Sequence, residues 1–280
     1  MSAPSFQELR YKQPPIKILE AVEKAVLIIK DIYSTVPAAL PFILEPSALL
    51  LFANLRAESP YHLLDGALDN KQVNELDAVL AKHDIYRFTE ELPAESAYPG
   101  EEIFSLVSLT ALNAIPAQFQ CMQKIWKPLN LTVPFQYAYI EWVFIIERSL
   151  AKLMEDGILP TDWLKDWWAP HNIRFGMLLG YPGEAISSAL WAEARKRSGT
   201  DTSNAMTELV VATDKQYFGA RVGFYVDQSL ASSQSIVDTE DAWKKVITQI
   251  YEDIPFTELM SNKDFASSYR KLKLRETGGR

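Results

Sequence analysis

Hydrophobic and polar residues recur along the chain with two distinct periods, which predict most of its helices and strands. Apolar residues repeat at spacings of three and four over 16–33 and 70–83, as on the buried face of an amphipathic helix. Asn70 is expected to cap the second of these helices. The apolar run 46–55 suits a buried helix or a buried strand, and Pro46 with the Ala and Leu content favours a helix.

Helices are also predicted through the middle of the chain, where Pro and Gly residues mark their ends. The expected helices there are 117–126, 134–156, 161–168, 172–179 and 183–197. Gly157 follows the longest of them and suits the left-handed conformation that ends many helices. Near the C-terminus, one further helix is expected to begin at Asp238 or Thr239, and another covers 264–272.

Strands are predicted in four segments. Residues 85–89 alternate between apolar and polar, whereas 208–213 and 220–227 are rich in Val, Phe and Tyr and form a hairpin through 214–219. The segment 103–112 also fits a strand, although its apolar residues do not alternate cleanly. Because helices and strands occur in separate runs, the expected fold class is α+β, predominantly α-helical with a small antiparallel sheet.

The polar stretch 199–204 is the clearest change of composition in the chain and a candidate linker. We therefore expect an N-terminal arm over 1–15, a helix-rich core domain over 16–198, a C-terminal α+β part over 205–273 and a flexible tail over 274–280. The C-terminal part is expected to pack on the same core. A length of 280 residues suits one large domain or two small ones, so the number of domains depends on this linker.

Charge and composition narrow the classes of partner. Hydrophobic residues make up 48% of the chain and charged residues 23%, as in ordinary globular proteins. The net charge of −8 disfavours binding to a phosphate backbone, so a nucleic-acid partner is not expected. No secretory signal and no apolar run of membrane-spanning length are found, which predicts a cytoplasmic protein.

Familiar catalytic and metal-binding motifs are absent from the sequence. Cys121 is the only cysteine, which excludes an intrachain disulfide and a zinc site built from several cysteines. The three histidines, His62, His83 and His171, are far apart along the chain. Dinucleotide, P-loop, zinc-protease and serine-hydrolase motifs are also missing. No metal and no cofactor are therefore expected.

The segment 162–184 combines aromatic, basic and acidic residues and is the main candidate for binding a ligand or partner. Tryptophan and arginine often anchor interfaces, and the exposed amides of a helix start attract anions. The alternative is a structural helix–helix corner with tryptophans in the core. The candidate binding residues are Trp167, Trp168, His171, Arg174, Tyr181 and Glu184.

Glu141 and His171 are the candidate catalytic residues. Glu141 has apolar neighbours on both sides, so burial could raise its pKa into the range of a general acid or base. The alternative is that Glu141 lies on the polar stripe of its helix or pairs with an arginine.

Three functional hypotheses follow, and the sequence leaves open whether the protein is an enzyme. The first is a non-enzymatic binding or accessory protein that recognises a protein partner or a small ligand around 163–184. The alternative is a metal-independent enzyme that acts on a small anionic substrate in a helix-lined pocket, through Glu141, His171 and Arg174. The third is a homo-oligomer whose seam is the helix 134–156.

Overall fold

The computed structural model describes residues 15–62, 68–91, 102–118, 140–161, 176–186, 188, 206–211, 222–228 and 231–276. Within these ranges the helices are α1 (Ile18–Thr35), α2 (Leu40–Ile43), α3 (Pro46–Phe52), α4 (Asn70–Ala81), α5 (Leu109–Leu112), α6 (Ile140–Glu155), α7 (Gln234–Asp253), α8 (Phe256–Ser261) and α9 (Lys263–Glu276). The strands are β1 (Glu58–His62), β2 (Ile85–Glu91), β3 (Glu102–Ser108), β4 (Met206–Val211) and β5 (Val222–Asp227). The fold is therefore predominantly α-helical α+β with a small antiparallel sheet, as predicted.

The described strands form two separate antiparallel sheets rather than the single sheet expected from the sequence. In the first, β3 lies between β1 and β2, so that Val107 is opposite both Glu58 and Tyr86. In the second, β4 pairs with β5, with Leu209 opposite Phe224. The predicted pairing of 208–213 with 220–227 is confirmed, but these strands do not join β2 and β3.

One hydrophobic cluster connects the N-terminal helices with the C-terminal part of the chain. Its members come from α1, α2, α3, α4, the first sheet, β5, α7, α8 and α9. Trp243 on α7 and Phe224 on β5 meet edge to face at 5.6 Å in this cluster. A second cluster lies between the first sheet and α6 and includes Val107, Leu150 and Leu153. Residues on both sides of the predicted linker thus share one core.

Two helix starts differ from the prediction. Asp69, not Asn70, caps α4: its carboxylate accepts a hydrogen bond from the Gln72 amide, and the Gln72 side chain accepts one from the Asp69 amide. Helix α7 begins at Gln234, before the Asp238 and Thr239 that the sequence suggested as caps. In both cases several neighbouring polar residues are suitable caps, so residue type alone does not select among them.

Three segments were missed or assigned wrongly. Strand β1 was not predicted, because it is short and polar and contains Pro60. The strand predicted over 103–112 ends at Ser108, whose hydroxyl accepts a hydrogen bond from the Ala111 amide and starts α5. Residues 274–276, assigned to a flexible tail, belong to α9.

Several predictions fall on parts of the chain outside the described residues. They include the arm up to residue 14, the linker 199–204, the turn 214–219 and most of the helices 117–126 and 161–168. Within the described ranges, none of the helices has the combination of length and apolar character that crossing a membrane requires.

Candidate functional site

The predicted corner at Gly180 joins two helical turns, 176–178 and 183–186. Gly180 has φ +69°, its amide donates to the Met177 carbonyl (3.0 Å), and the Tyr181 amide donates to the Gly176 carbonyl (2.8 Å). These two bonds are the pattern that closes a helix through a left-handed glycine. The two turns pack closely, since a Cβ on Gly176 would lie 2.8 Å from Cγ1 of Ile186.

This corner rests directly on the chain between α3 and β1. A Cβ on Gly180 would lie only 1.9 Å from the carbonyl oxygen of Leu55 and 3.3 Å from Cγ of Arg56. The Ala57 amide donates to the Leu178 carbonyl at 2.8 Å. Gly180 is therefore required both for its backbone conformation and for the space that a side chain would occupy.

The two predicted binding residues in the described corner make internal contacts. The ring of Tyr181 is half-buried and lies 6.0 Å from that of Phe224. Glu184 is buried, and its carboxylate accepts a hydrogen bond from the hydroxyl of Ser233, next to α7. These contacts tie the corner to β5 and to the start of α7. The assignment of Tyr181 and Glu184 to ligand binding stays a prediction.

The other predicted site residues are not brought together by the described structure. Trp167, Trp168, His171 and Arg174 lie outside the described residues. The backbone of Glu141 belongs to the first turn of α6, and nothing is described of its side chain. Their convergence in one pocket therefore stays a prediction.

A buried polar cluster lies beneath the corner, and the sequence did not point to it. Arg56 is only 5% exposed, and its Nη1 donates to the hydroxyl of Ser47 at 2.7 Å. That hydroxyl shares a second hydrogen bond, also 2.7 Å long, with the hydroxyl of Ser59 on β1. The guanidinium thereby links the first turn of α3 to the sheet.

Two carboxyl groups complete this cluster, which we call the Arg56 cluster (Glu45, Ser47, Arg56, Glu58 and Ser59). Burial raises the pKa of Glu45 to about 8, although the positive charge of Arg56 opposes the shift. Burial also raises the pKa of Glu58 well above its usual range, again against the charge of Arg56. In both cases the loss of hydration outweighs the attraction to one guanidinium.

Glu58 is the most unusual member of the cluster. It is 0% exposed, and neither of its carboxyl oxygens has a hydrogen-bond partner in the described part of the chain. Opposite residues of an antiparallel pair share a face, so Glu58 and Val107 both lie on the sheet face against α6. Ser105 on that face meets Ser149 of α6 at 3.0 Å between the hydroxyl oxygens.

A separate groove of about 650 Å³ lies where α7 ends and α8 begins. Its lining includes Glu252 and Glu258, with Ile254, Pro255 and Phe256 between them. Tyr251 also borders it, but its hydroxyl donates to the Leu44 carbonyl at 2.8 Å and so holds α7 to the end of α2. Burial raises the pKa of this hydroxyl, and the nearby Glu45 adds to the effect.

Known proteins give no guide to this site. No protein-family model, curated protein or solved structure matches the chain. The described residues also contain no group of three or more His, Cys, Asp and Glu side chains arranged to hold a metal ion. The arrangement of the corner and the Arg56 cluster is therefore the basis for any functional proposal.

Sequence reasoning missed the Arg56 cluster for an identifiable reason. Arg56 and Glu58 follow the apolar run 46–55 directly, and charged residues at the end of such a run usually mark an exposed loop. Glu58 and Ser59 lie in β1, which is too short and too polar to be recognised as a strand from the sequence. The one available signal was Pro60, because proline within a sheet is confined to edge strands, and β1 is at an edge.

The raised pKa of Glu45 predicts how stability depends on pH. The folded protein binds a proton at Glu45 more tightly than the unfolded chain, whose glutamates titrate near 4.5. The stabilising contribution is therefore complete below about pH 4.5 and is lost as the pH rises through about 8. We expect the free energy of unfolding of the wild type to fall over this range by an extra 2–4 kcal/mol, roughly, relative to Glu45→Gln.

Urea denaturation at a series of pH values measures this difference. Glu20→Gln is the matched control, because Glu20 is exposed and its carboxylate pairs with Lys17 at the start of α1. We expect the control to follow the wild-type curve. Parallel curves for the wild type and Glu45→Gln would show that Glu45 titrates normally in the folded state.

Proposed function

We propose that the protein is a non-enzymatic binding or accessory protein that recognises a protein partner or a small ligand through residues 163–184. The observation that supports this most is the fixed corner at the C-terminal end of this segment. Gly180 lies against the Leu55 carbonyl, and the Leu178 carbonyl accepts the Ala57 amide. A recognition segment anchored on a rigid element loses less conformational entropy on binding than a free loop does.

The residues of the segment suit different roles in this proposal. Trp167 and Trp168 offer large apolar side chains, which contribute much of the affinity where they become buried in an interface. Arg174 with His171 would bind a carboxylate or phosphate of the partner. Tyr181 is proposed to hold the segment in place through the contact of its ring with that of Phe224.

We further propose a cytoplasmic location, because a chain with the single cysteine Cys121 does not need an oxidising compartment for an intrachain disulfide. Assembly into a homo-oligomer through the region of α6 is compatible with this function. The mass of the purified protein in solution tests it.

The double variant Trp167→Ala/Trp168→Ala tests the proposed function. Its matched control is Leu19→Ala/Leu27→Ala, which also removes two large apolar side chains, here from the outer face of α1, where they are 71% and 55% exposed. Both variants are compared with the wild type in quantitative co-purification from the native cells. For small ligands, native mass spectrometry of the purified proteins replaces co-purification.

We expect the affinity of the tryptophan variant for the recovered partner or ligand to be at least about tenfold lower than that of the wild type, which corresponds to about 1.4 kcal/mol of binding free energy. The control should bind it as the wild type does. The melting temperature of each variant is measured first, so that unfolding is not mistaken for lost binding. Equal recovery by all three proteins would contradict the proposal. Turnover of a bound anionic compound, abolished in Arg174→Ala, would instead support the metal-independent enzyme.

A further inference from the structure

The Arg56 cluster contains more acidic groups than its cation can neutralise. Arg56 acts electrostatically on both Glu45 and Glu58. If both carboxyls were ionised, the cluster would carry a net negative charge, and the charge on Glu58 would be fully buried. An ionised carboxylate that is buried without hydrogen-bond donors costs several kcal/mol, and Glu58 has no such donor among the described residues. Retention of a proton removes that cost.

The charged groups on the elements around Glu58 do not relieve this imbalance. Strand β1 packs against β3, α3 and α6. On the described part of α6, Arg148 and Lys152 are exposed, and Lys152 pairs with Asp156 at 2.8 Å. Helix α6 also carries Glu155, which is exposed and adds no positive charge.

Three further titratable groups lie on the elements around the cluster. The only charged residue in the sequence of β3 is Glu102, at the opposite end of the strand from Val107. Glu45 acts electrostatically on the hydroxyl of Tyr251 on α7, a group that adds no positive charge. The corner brings Glu184, whose carboxylate accepts a hydrogen bond from Ser233. Each of these groups is neutral or acidic, so none substitutes for a second cation.

The Arg56 cluster is joined to the corner by direct contacts of Arg56 and Ala57. Cγ of Arg56 is one of the atoms that leave no room for a side chain at Gly180. The next residue, Ala57, donates its amide to Leu178 in the corner and accepts the amide of Ser108 through its carbonyl. A shift of the Arg56 backbone therefore moves the support on which the corner rests.

From these contacts we propose that the Arg56 cluster holds an exchangeable proton at neutral pH and that loss of this proton loosens the corner 176–186. Arg56 acts on both carboxyls, and its single positive charge balances only one of them, so the second is expected to retain a proton. Its loss leaves an excess negative charge beside Ala57 and Leu178. The functional consequence rests on the proposed function, because the corner anchors the binding segment.

Hydrogen–deuterium exchange of the full-length protein, followed by mass spectrometry, tests whether proton loss from the Arg56 cluster loosens the corner. Exchange is measured between about pH 6 and about pH 9 and corrected for the intrinsic pH dependence of amide exchange. In the wild type we expect protection of peptides covering Ala57 and 177–181 to fall by at least about tenfold over this range. Peptides from α7 should lose less protection than those from the corner.

Removal of either carboxyl should abolish the effect. In Glu45→Gln and in Glu58→Gln, the remaining carboxylate is balanced by Arg56, so protection of the corner is expected to be independent of pH. Glu155→Gln, on the exposed side of α6, is the matched control and should behave like the wild type.

The proposal would be overturned by corner protection in the wild type that does not change with pH, or by a pH dependence that persists in both glutamine variants. Infrared spectroscopy of the wild type covers the case in which a variant does not fold. We expect the carbonyl band of a protonated carboxyl at neutral pH, and its absence would also overturn the proposal. None of these measurements involves a partner, so their failure is distinct from a failure of the proposed function.

Discussion

Replacement of Gly180 by alanine is expected to lower the free energy of unfolding by about 3–4 kcal/mol. Two costs combine at this position. The backbone has φ +69°, a conformation that L-residues with a side chain rarely adopt. The new methyl group would also lie 1.9 Å from the Leu55 carbonyl oxygen, which is backbone and cannot rotate away. The corner would have to separate from Leu55 and lose the bond between Ala57 and Leu178.

Gly157→Ala separates these two costs. Gly157 has nearly the same conformation, φ +70°, but a Cβ there would have no atom within 4 Å. We expect this control to lose only about 1 kcal/mol, the cost of the left-handed conformation alone. Urea denaturation of both variants gives the comparison. Equal losses would mean that the contact between Gly180 and Leu55 contributes nothing to stability.

Arg56→Leu is expected to have an effect of similar size, a loss of about 3–5 kcal/mol at neutral pH. The substitution removes the positive charge that acts on Glu45 and Glu58 and the donor to the Ser47 hydroxyl. Both carboxyls can then avoid a buried negative charge only by binding protons. The loss should therefore be smaller at about pH 5, where protonation requires less free energy.

Arg87→Leu is the matched control for this substitution. Arg87 donates from Nε and Nη2 to the Asp77 carboxylate at 2.7 and 2.8 Å, but that carboxylate is 41% exposed. Removing the arginine there leaves a charge that water can solvate, so we expect a loss of only about 1 kcal/mol. Denaturation at two pH values measures both variants. A similar loss in both, with no dependence on pH, would contradict a buried charge cluster at Arg56.

The helices with strong apolar periodicity were predictable because their signals are local. The stripe over 16–33 corresponds to α1, and the stripe over 70–83 corresponds to α4. Gly157 ends α6 as expected, with φ +70°, and the Ile158 amide donates a hydrogen bond to the Leu153 carbonyl. In these cases the residues that decide the structure are within a few positions of one another.

Strand partners were not predictable in the same way. Residues 85–89 and 208–213 were both predicted to form strands of one sheet, yet the strands found there, β2 and β4, belong to different sheets. Alternation indicates that a segment is extended with one buried face, but it does not indicate which segment lies beside it. The partner of β3 on its second edge, β1, has the sequence Glu-Ser-Pro-Tyr-His and carries almost no strand signal.

In the candidate site too, features with local sequence signals were predictable and contacts between distant residues were not. The corner Gly180–Glu184 was recognisable because glycine, proline and an acidic residue at a helix start have local roles. Its closeness to Leu55, 125 positions earlier, has no local signature. The internal contacts of Tyr181 and Glu184 also depend on Phe224 and Ser233, which are distant in the chain.

The sequence by itself determined the fold class, the main amphipathic helices and the glycine at each of two helix ends, because short-range periodicity and backbone conformation decide these features. Only the tertiary structure decided that Arg56 and Glu58 are buried beneath the corner and that the half-buried Glu45 lies close enough to Arg56 to be influenced by its charge. The physical reason is that burial of a charge depends on which elements cover it. Two charged residues, Arg56 and Glu58, that would be exposed in an isolated segment are enclosed here by the surrounding elements.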